Sequence, residues 1–237
     1  MSQPALRRFY RQVTVAELPD GFAIELDGKV LRSPAKNDLH LPSRALAEAI
    51  AAEWAAQGEK IQPSTMPLMQ LAATAIDRVA PDRARIVAEI AGYAGTDLVC
   101  YRAAEPPALA ARQIQLWDPL IDWLRRRYDV SLAVTSGIVA IPQPSATLQT
   151  LTRVVEGYDD FALAALANLV SVSGSLVIAL ALADGEIVPE EAAHAAQIDE
   201  LFQAERWGED AEAVERRVAQ IGDLVAAKRF LDLLRLG

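Results

Sequence analysis

The chain has 237 residues, 52% of them hydrophobic and 23% charged, enough to bury a sizeable core as one large domain or two modest ones. Its formal charge of −9 repels phosphate backbones and anionic membranes and favours basic partners, so nucleic-acid binding is not expected. Cys100 is the single cysteine, which excludes an internal disulfide and suits a reducing compartment. The start, "MSQPALRRFY", lacks the apolar core of a signal peptide, and a cytoplasmic location is expected.

From Phe9 to Leu41 short runs alternate apolar and polar residues, punctuated by Pro19-Asp20-Gly21, Asp27-Gly28 and Lys36-Asn37-Asp38. The Asp27-Gly28 pair between "FAIEL" and "KVLRS" predicts a hairpin, because its glycine tolerates positive φ. From Pro42 the period becomes helical: Leu46, Ile50 and Trp54 fall four apart on one face, with Ser43 as cap. The stretch 107–130 predicts one long helix, or two joined where Asp118 caps and Pro119 opens a first turn, and "SLAVTSG" after it reads as a short extended piece. Further helices are predicted over 145–156, 159–182, 189–207 and from 210 to about 234. The class is α+β, a small N-terminal antiparallel β domain followed by a larger, mostly helical one. Residues 1–70 are assigned to the first, with one following helix, and 71–237 to the second.

The uncharged run 161–183 is long enough to span a membrane. Asn168, Ser171, Ser173, Gly174 and Ser175 interrupt it, and both flanks are acidic, so it reads as two buried helices or one broken near Gly174. No membrane insertion is expected.

Few residues offer chemistry. A serine or cysteine nucleophile needs a base, and the histidines are His40 and His194 alone. Cys100, among apolar neighbours, reads as inert core. Glu191 and His194 have the i, i+3 spacing of carboxylate metal sites, which need that motif twice. Glycine-rich phosphate loops are absent, so neither metal nor cofactor is expected. The stretch "ERWGEDAEAVERR", residues 205–217, leaves two readings. Its acids suit the positive end of a helix macrodipole and form a solvated face. Alternatively, Asp210, Glu212 and Glu215, with Glu209 nearby, form a carboxylate cluster for a small hydrolase or isomerase.

The runs "LDGKVLRSP", "LAEAIAAEWAAQGEKIQPSTMPL", "LAATAID", "YAGTDLVCYR", "WDPLIDW", "SGSLVIALALA" and "QAERWGEDAEA" stand in the order found in the Atp12 family of F1-ATPase assembly chaperones, which the chain resembles along nearly its whole length. Two positions depart from that family, Met69 for a usual threonine and Ala73 for a usual asparagine. The targeting extension of mitochondrial members is also missing, as in a bacterial cytoplasmic member. The resemblance implies a chaperone, not an enzyme, that binds the free F1 α subunit and keeps it from aggregating until it pairs with β, without hydrolysing ATP. It carries a functionally important acid onto Glu212, with Asp210 beside it, and the tryptophan of AxEWxxQ onto Trp54, in a structural or partner-binding role. Candidate partner-binding residues are therefore Trp207, Glu209, Asp210 and Glu212, with Trp207 read more as a packing anchor than as a contact. A monomer is expected.

Overall fold

The structure is a computed structural model that describes residues 7–236. The chain divides into two compact units. The first comprises Met1–Arg83 with two later segments, Asp160–Ala165 and Arg229–Gly237; the second comprises Ala84–Asp159 and Leu166–Lys228.

The first unit opens with a three-stranded antiparallel sheet, β1 (Val13–Leu18), β2 (Gly21–Leu26) and β3 (Lys29–Val30), in that spatial order. Val13 faces Leu26 and Leu18 faces Gly21 across the first hairpin. The predicted Asp27-Gly28 turn follows, with φ of 50° and 75° at its two central residues, the positive pair that a two-residue hairpin with native strand twist requires. Asp27 fixes it further: its carboxylate accepts from the Arg11 and Gln12 amides at 3.0 and 2.8 Å, which holds the carboxyl below its ordinary value. At Gly21 a side chain has no room, because a Cβ would lie 2.5 Å from the Leu41 carbonyl oxygen.

Helix α1 (Arg44–Ala55) begins where Ser43 caps it, its Oγ accepting from the Leu46 amide at 3.1 Å and donating to the Leu233 carbonyl at 2.8 Å. Leu46, Ile50 and Trp54 are all buried. Helix α2 (Pro67–Thr74) runs on through a π turn at Ala75–Val79, from which Asp77 accepts from Ser33, Asn37 and the Ala35 amide. The late segments are fastened within this unit too, Phe161 stacking on Phe230 with ring centres 6.4 Å apart.

The second unit holds α3 (Arg83–Gly92) from Ala84 on, strand β4 (Tyr101–Arg102), α4 (Pro107–Tyr128), strand β5 (Thr135–Ser136), α5 (Ser145–Glu156), α6 (Asp160–Ser173) from Leu166 on, α7 (Leu176–Asp184), α8 (Pro189–Trp207) and α9 (Ala211–Arg235) as far as Lys228. The two short strands pair in parallel. Helix α4 is single: Pro119 lies inside it at an exposed position and removes one i→i−4 hydrogen bond without ending the helix. Every residue of α7 from Leu176 to Ala183 is buried, and α4 and α8 pack against it.

The apolar run 161–183 is thereby resolved into helices of 14 and 9 residues. Gly174 breaks it at φ 68°, and Ser175 restarts it, its Oγ accepting from the Ile178 amide at 3.0 Å. Among the described residues no helix is long and apolar enough to cross a membrane. The restart is tied to Asp97, which is fully buried and accepts from Ser175 Oγ at 2.6 Å and from the Val177 amide at 3.1 Å.

Candidate functional site

Helix α8 ends at Trp207 because Gly208 takes φ 91°, and the chain turns through Glu209 and Asp210 into α9. Asp210 starts α9: its carbonyl accepts from the Val214 amide at 3.0 Å and its carboxylate from the Glu212 amide at 3.3 Å. Glu209 pairs with Arg217, a guanidinium largely buried under the corner. Arg216 reaches back to Glu200 at 3.4 Å. These contacts leave a shallow hollow of about 370 Å³, lined by Gln203, Trp207, Glu209, Asp210, Ala213 and Arg216 among others.

Trp207 does not pack as its sequence context suggested. Its side chain is 78% exposed. The aromatic anchor of this region is Phe202 instead, buried with Arg206 and Arg112 over its ring at 4.3 and 5.1 Å. Trp207 is the last residue of α8, and Arg206 before it and Gly208 to Glu212 after it are exposed as well, so the corner that carries it lies away from the core. Glu205, one turn before the corner, is held by Arg112 through two hydrogen bonds at 2.7 and 2.8 Å, which lower its carboxyl. Among the described residues no cation pairs with Asp210, Glu212 or Glu215, and all three are exposed.

Trp54 lies elsewhere, in the first unit, and is 8% exposed. Its ring meets Tyr10 edge-on at 5.7 Å, and its carbonyl accepts from the Tyr10 hydroxyl at 2.7 Å. The rest of the AxEWxxQ motif clamps the chain that follows. Glu53 accepts from the Leu68 and Met69 amides at 2.8 and 2.9 Å, so a half-buried carboxylate supplies the acceptor at the start of α2, and its partial burial pushes its carboxyl up. Gln57 bonds Thr65 Oγ1 at 3.0 Å and the Gln62 amide at 2.7 Å. The motif and the P-x-T-M-P turn are thus one hydrogen-bonded structure. Sequence reasoning missed Glu53, Gln57 and Asp97, although each stands in one of the quoted runs.

The remaining candidates have structural occupations. Cys100 is buried and its thiol is pushed up to about 12, chiefly by burial, which keeps it protonated and inert. Glu191 accepts from the Val188 amide at 3.0 Å and so closes the start of α8, while His194 is exposed. Among the described residues no group of three or more His, Cys, Asp or Glu side chains is placed to hold a metal ion.

The family of the ATP12 chaperone protein matches residues 7–125. The chain belongs to that family. Atp12 from Paracoccus denitrificans is 42% identical, and its crystal structure matches with a TM-score of 0.93 over 97% of this chain and 98% of its own. An aspartate-to-lysine mutant of that protein matches with the same score, 0.93. The Atu1473 protein from Agrobacterium tumefaciens is also 42% identical, with a TM-score of 0.94 over 98% of this chain and 88% of its own. Protein atp12, mitochondrial, from Schizosaccharomyces pombe is 25% identical over 230 residues, 91% of this chain and 79% of the relative. Members of the ATP12 family are assembly chaperones, not enzymes, so the hydrolase or isomerase reading of the acidic corner is not favoured.

Proposed function

We propose that the protein is an ATP-independent chaperone of F1-ATP synthase assembly, which binds the free F1 α subunit as a monomer in the cytoplasm and prevents its aggregation until α pairs with β. The observation that carries this reading is Trp207, exposed at a helix end and set among the unpaired carboxylates of Asp210 and Glu212. Exposed tryptophans are unusual outside contact surfaces, and tryptophan is among the residues most enriched where partners bind. An assembly intermediate has an apolar surface that self-associates, and its chaperone must cover that surface and then yield it to the true partner. An aromatic contact ringed by acids suits a client patch that is apolar with a basic rim: the carboxylates steer the encounter and the ring supplies the hold. Trp207, Glu209, Asp210 and Glu212 form the contact in this reading, with Glu209 also bracing Arg217.

The test is light scattering from purified F1 α subunit diluted out of denaturant, with and without the protein, and with and without ATP. Suppression at near-equal molar ratio, unchanged by ATP and absent for unrelated aggregating proteins, is the expected result. Equal protection of every aggregating protein would make it a general holdase. Turnover of a small substrate abolished by Glu212→Gln would restore the enzyme reading.

A further inference from the structure

A second concavity, of about 690 Å³, opens in the second unit beside the β4–β5 pair. Arg102 lines it and is only 7% exposed. Its Nη2 donates to Asp118 Oδ1 at 2.6 Å, and its guanidinium lies 4.9 Å from the centre of the Trp117 ring, yet Nη1 has no acceptor. Tyr101, the preceding residue of the strand, also lines the hollow, and its hydroxyl is buried without a partner. A buried guanidinium that keeps an unmet donor in the lining of a hollow marks a place where an outside group completes the bonding.

The lining also carries two carboxylates, Glu105 and Asp199. Asp199 is held in place, accepting from Gln113 Nε2 at 2.6 Å, while Gln113 Oε1 accepts from the Ala103 amide at 2.6 Å. Among the described residues neither carboxylate has a cationic partner. Ile138 lines the same hollow and is 99% exposed.

We propose that this concavity binds an extended basic segment of the client polypeptide, with a lysine or arginine side chain paired to Glu105 and Asp199, a backbone carbonyl meeting Arg102, and an aliphatic neighbour resting on Ile138. An anionic ligand fits poorly, since Asp118 already neutralises Arg102 and the two remaining carboxylates repel it. A peptide carbonyl is an acceptor without charge, and so satisfies the arginine while its own basic side chain satisfies the acids. The inference rests on the chaperone reading, because the client is the source of the segment.

The probe is a nonapeptide with one arginine flanked by valine and isoleucine in a glycine-serine background, titrated into the ¹⁵N-labelled full-length protein, alongside its counterpart with glutamate for arginine. The arginine peptide should shift the amides of Ala103, Ala104 and Gly137 and bind at least about tenfold tighter than the glutamate peptide. Glu105→Gln with Asp199→Asn, a pair that keeps an acceptor for Gln113, should weaken it about tenfold, and the fully exposed Ile138→Ser should weaken it too. Equal binding of both peptides, shifts confined to other amides, or undiminished affinity in the double variant overturns the proposal. Protection of the F1 α subunit by the parent protein is measured in parallel: its failure sinks the proposed function, while the peptide titration still judges the concavity.

Discussion

Glu212 is the corner acid with the least to do in the fold. Glu209 braces Arg217 and Asp210 starts α9, whereas the Glu212 carboxylate faces solvent at the first turn of that helix. Glu212→Lys therefore forfeits little beyond a favourable dipole contact, about 0.5–1 kcal/mol. Opposite a basic client rim the same change turns attraction into repulsion and costs several kcal/mol of binding, roughly 2–5. The expected outcome is a parent-like circular dichroism spectrum and melting curve with lost protection of the α subunit. Glu205 is no control for this, because Arg112 grips it; Asp20→Lys, at an exposed turn in the other unit, is the better one. Equal protection by the two variants would return the stretch to a solvated helix face. Trp54 predicts the opposite pattern. Trp54→Arg removes a buried ring packed on Tyr10 and buries a charge with no partner, at about 3–5 kcal/mol, so melting should fall sharply. Unchanged melting with lost client binding would make Trp54 a contact residue.

At the scale of elements, local patterns were legible and distant hydrogen bonds were not. The Ser43 cap, the Asp27-Gly28 turn, the break at Gly174 and the helices at 145–156 and 189–207 each follow from residues a few positions apart. Glu53 serves amides 15 and 16 residues on, and Asp97 serves α7 from about 80 residues away, distances at which periodicity carries no information. Nor does any local signal announce that the first turns of α6 and the last of α9 belong with the β-rich unit. In the candidate site the acids were legible and the outward turn of Trp207 was not, since a tryptophan next to a glycine reads equally well as core. Asp97 also makes α7 sensitive to pH. Burial pushes its carboxyl up to about 6, against roughly 3.9 in an unfolded chain. Between those values the folded state holds a proton that the unfolded state has lost. The stability from this group is therefore fullest below about pH 4, declines as pH rises to about 6, and is flat above. From pH 7 to pH 5 the parent should gain about 1 kcal/mol relative to Asp97→Asn, which has nothing to titrate there. Urea unfolding of both proteins at the two pH values measures it. A difference that does not change with pH would mean that Asp97 is ionised throughout the range.

For the whole molecule, the proposed function has the net charge of −9 and the exposed tryptophan of the acidic corner divide the work of binding between approach and hold. Long-range attraction acts before contact and is screened over about 10 Å at 0.1 M salt, so it governs the association rate. An aromatic contact acts only once water has been expelled, and so governs dissociation. Binding of the α subunit, followed by stopped-flow fluorescence, should thus slow on the association side by about tenfold between roughly 20 and 300 mM salt, with little change in dissociation. Trp207→Ser should do the reverse, raising the dissociation rate about tenfold or more and leaving association and its salt slope near those of the parent. Glu212→Lys should flatten the salt slope. Because Trp207 supports no core packing, its replacement leaves melting unchanged, so a rate effect is read free of any folding defect. An association rate indifferent to salt would remove the steering role of the charge, and parent-like dissociation in Trp207→Ser would remove the tryptophan from the contact and shift the search for the client surface to the Arg102 concavity.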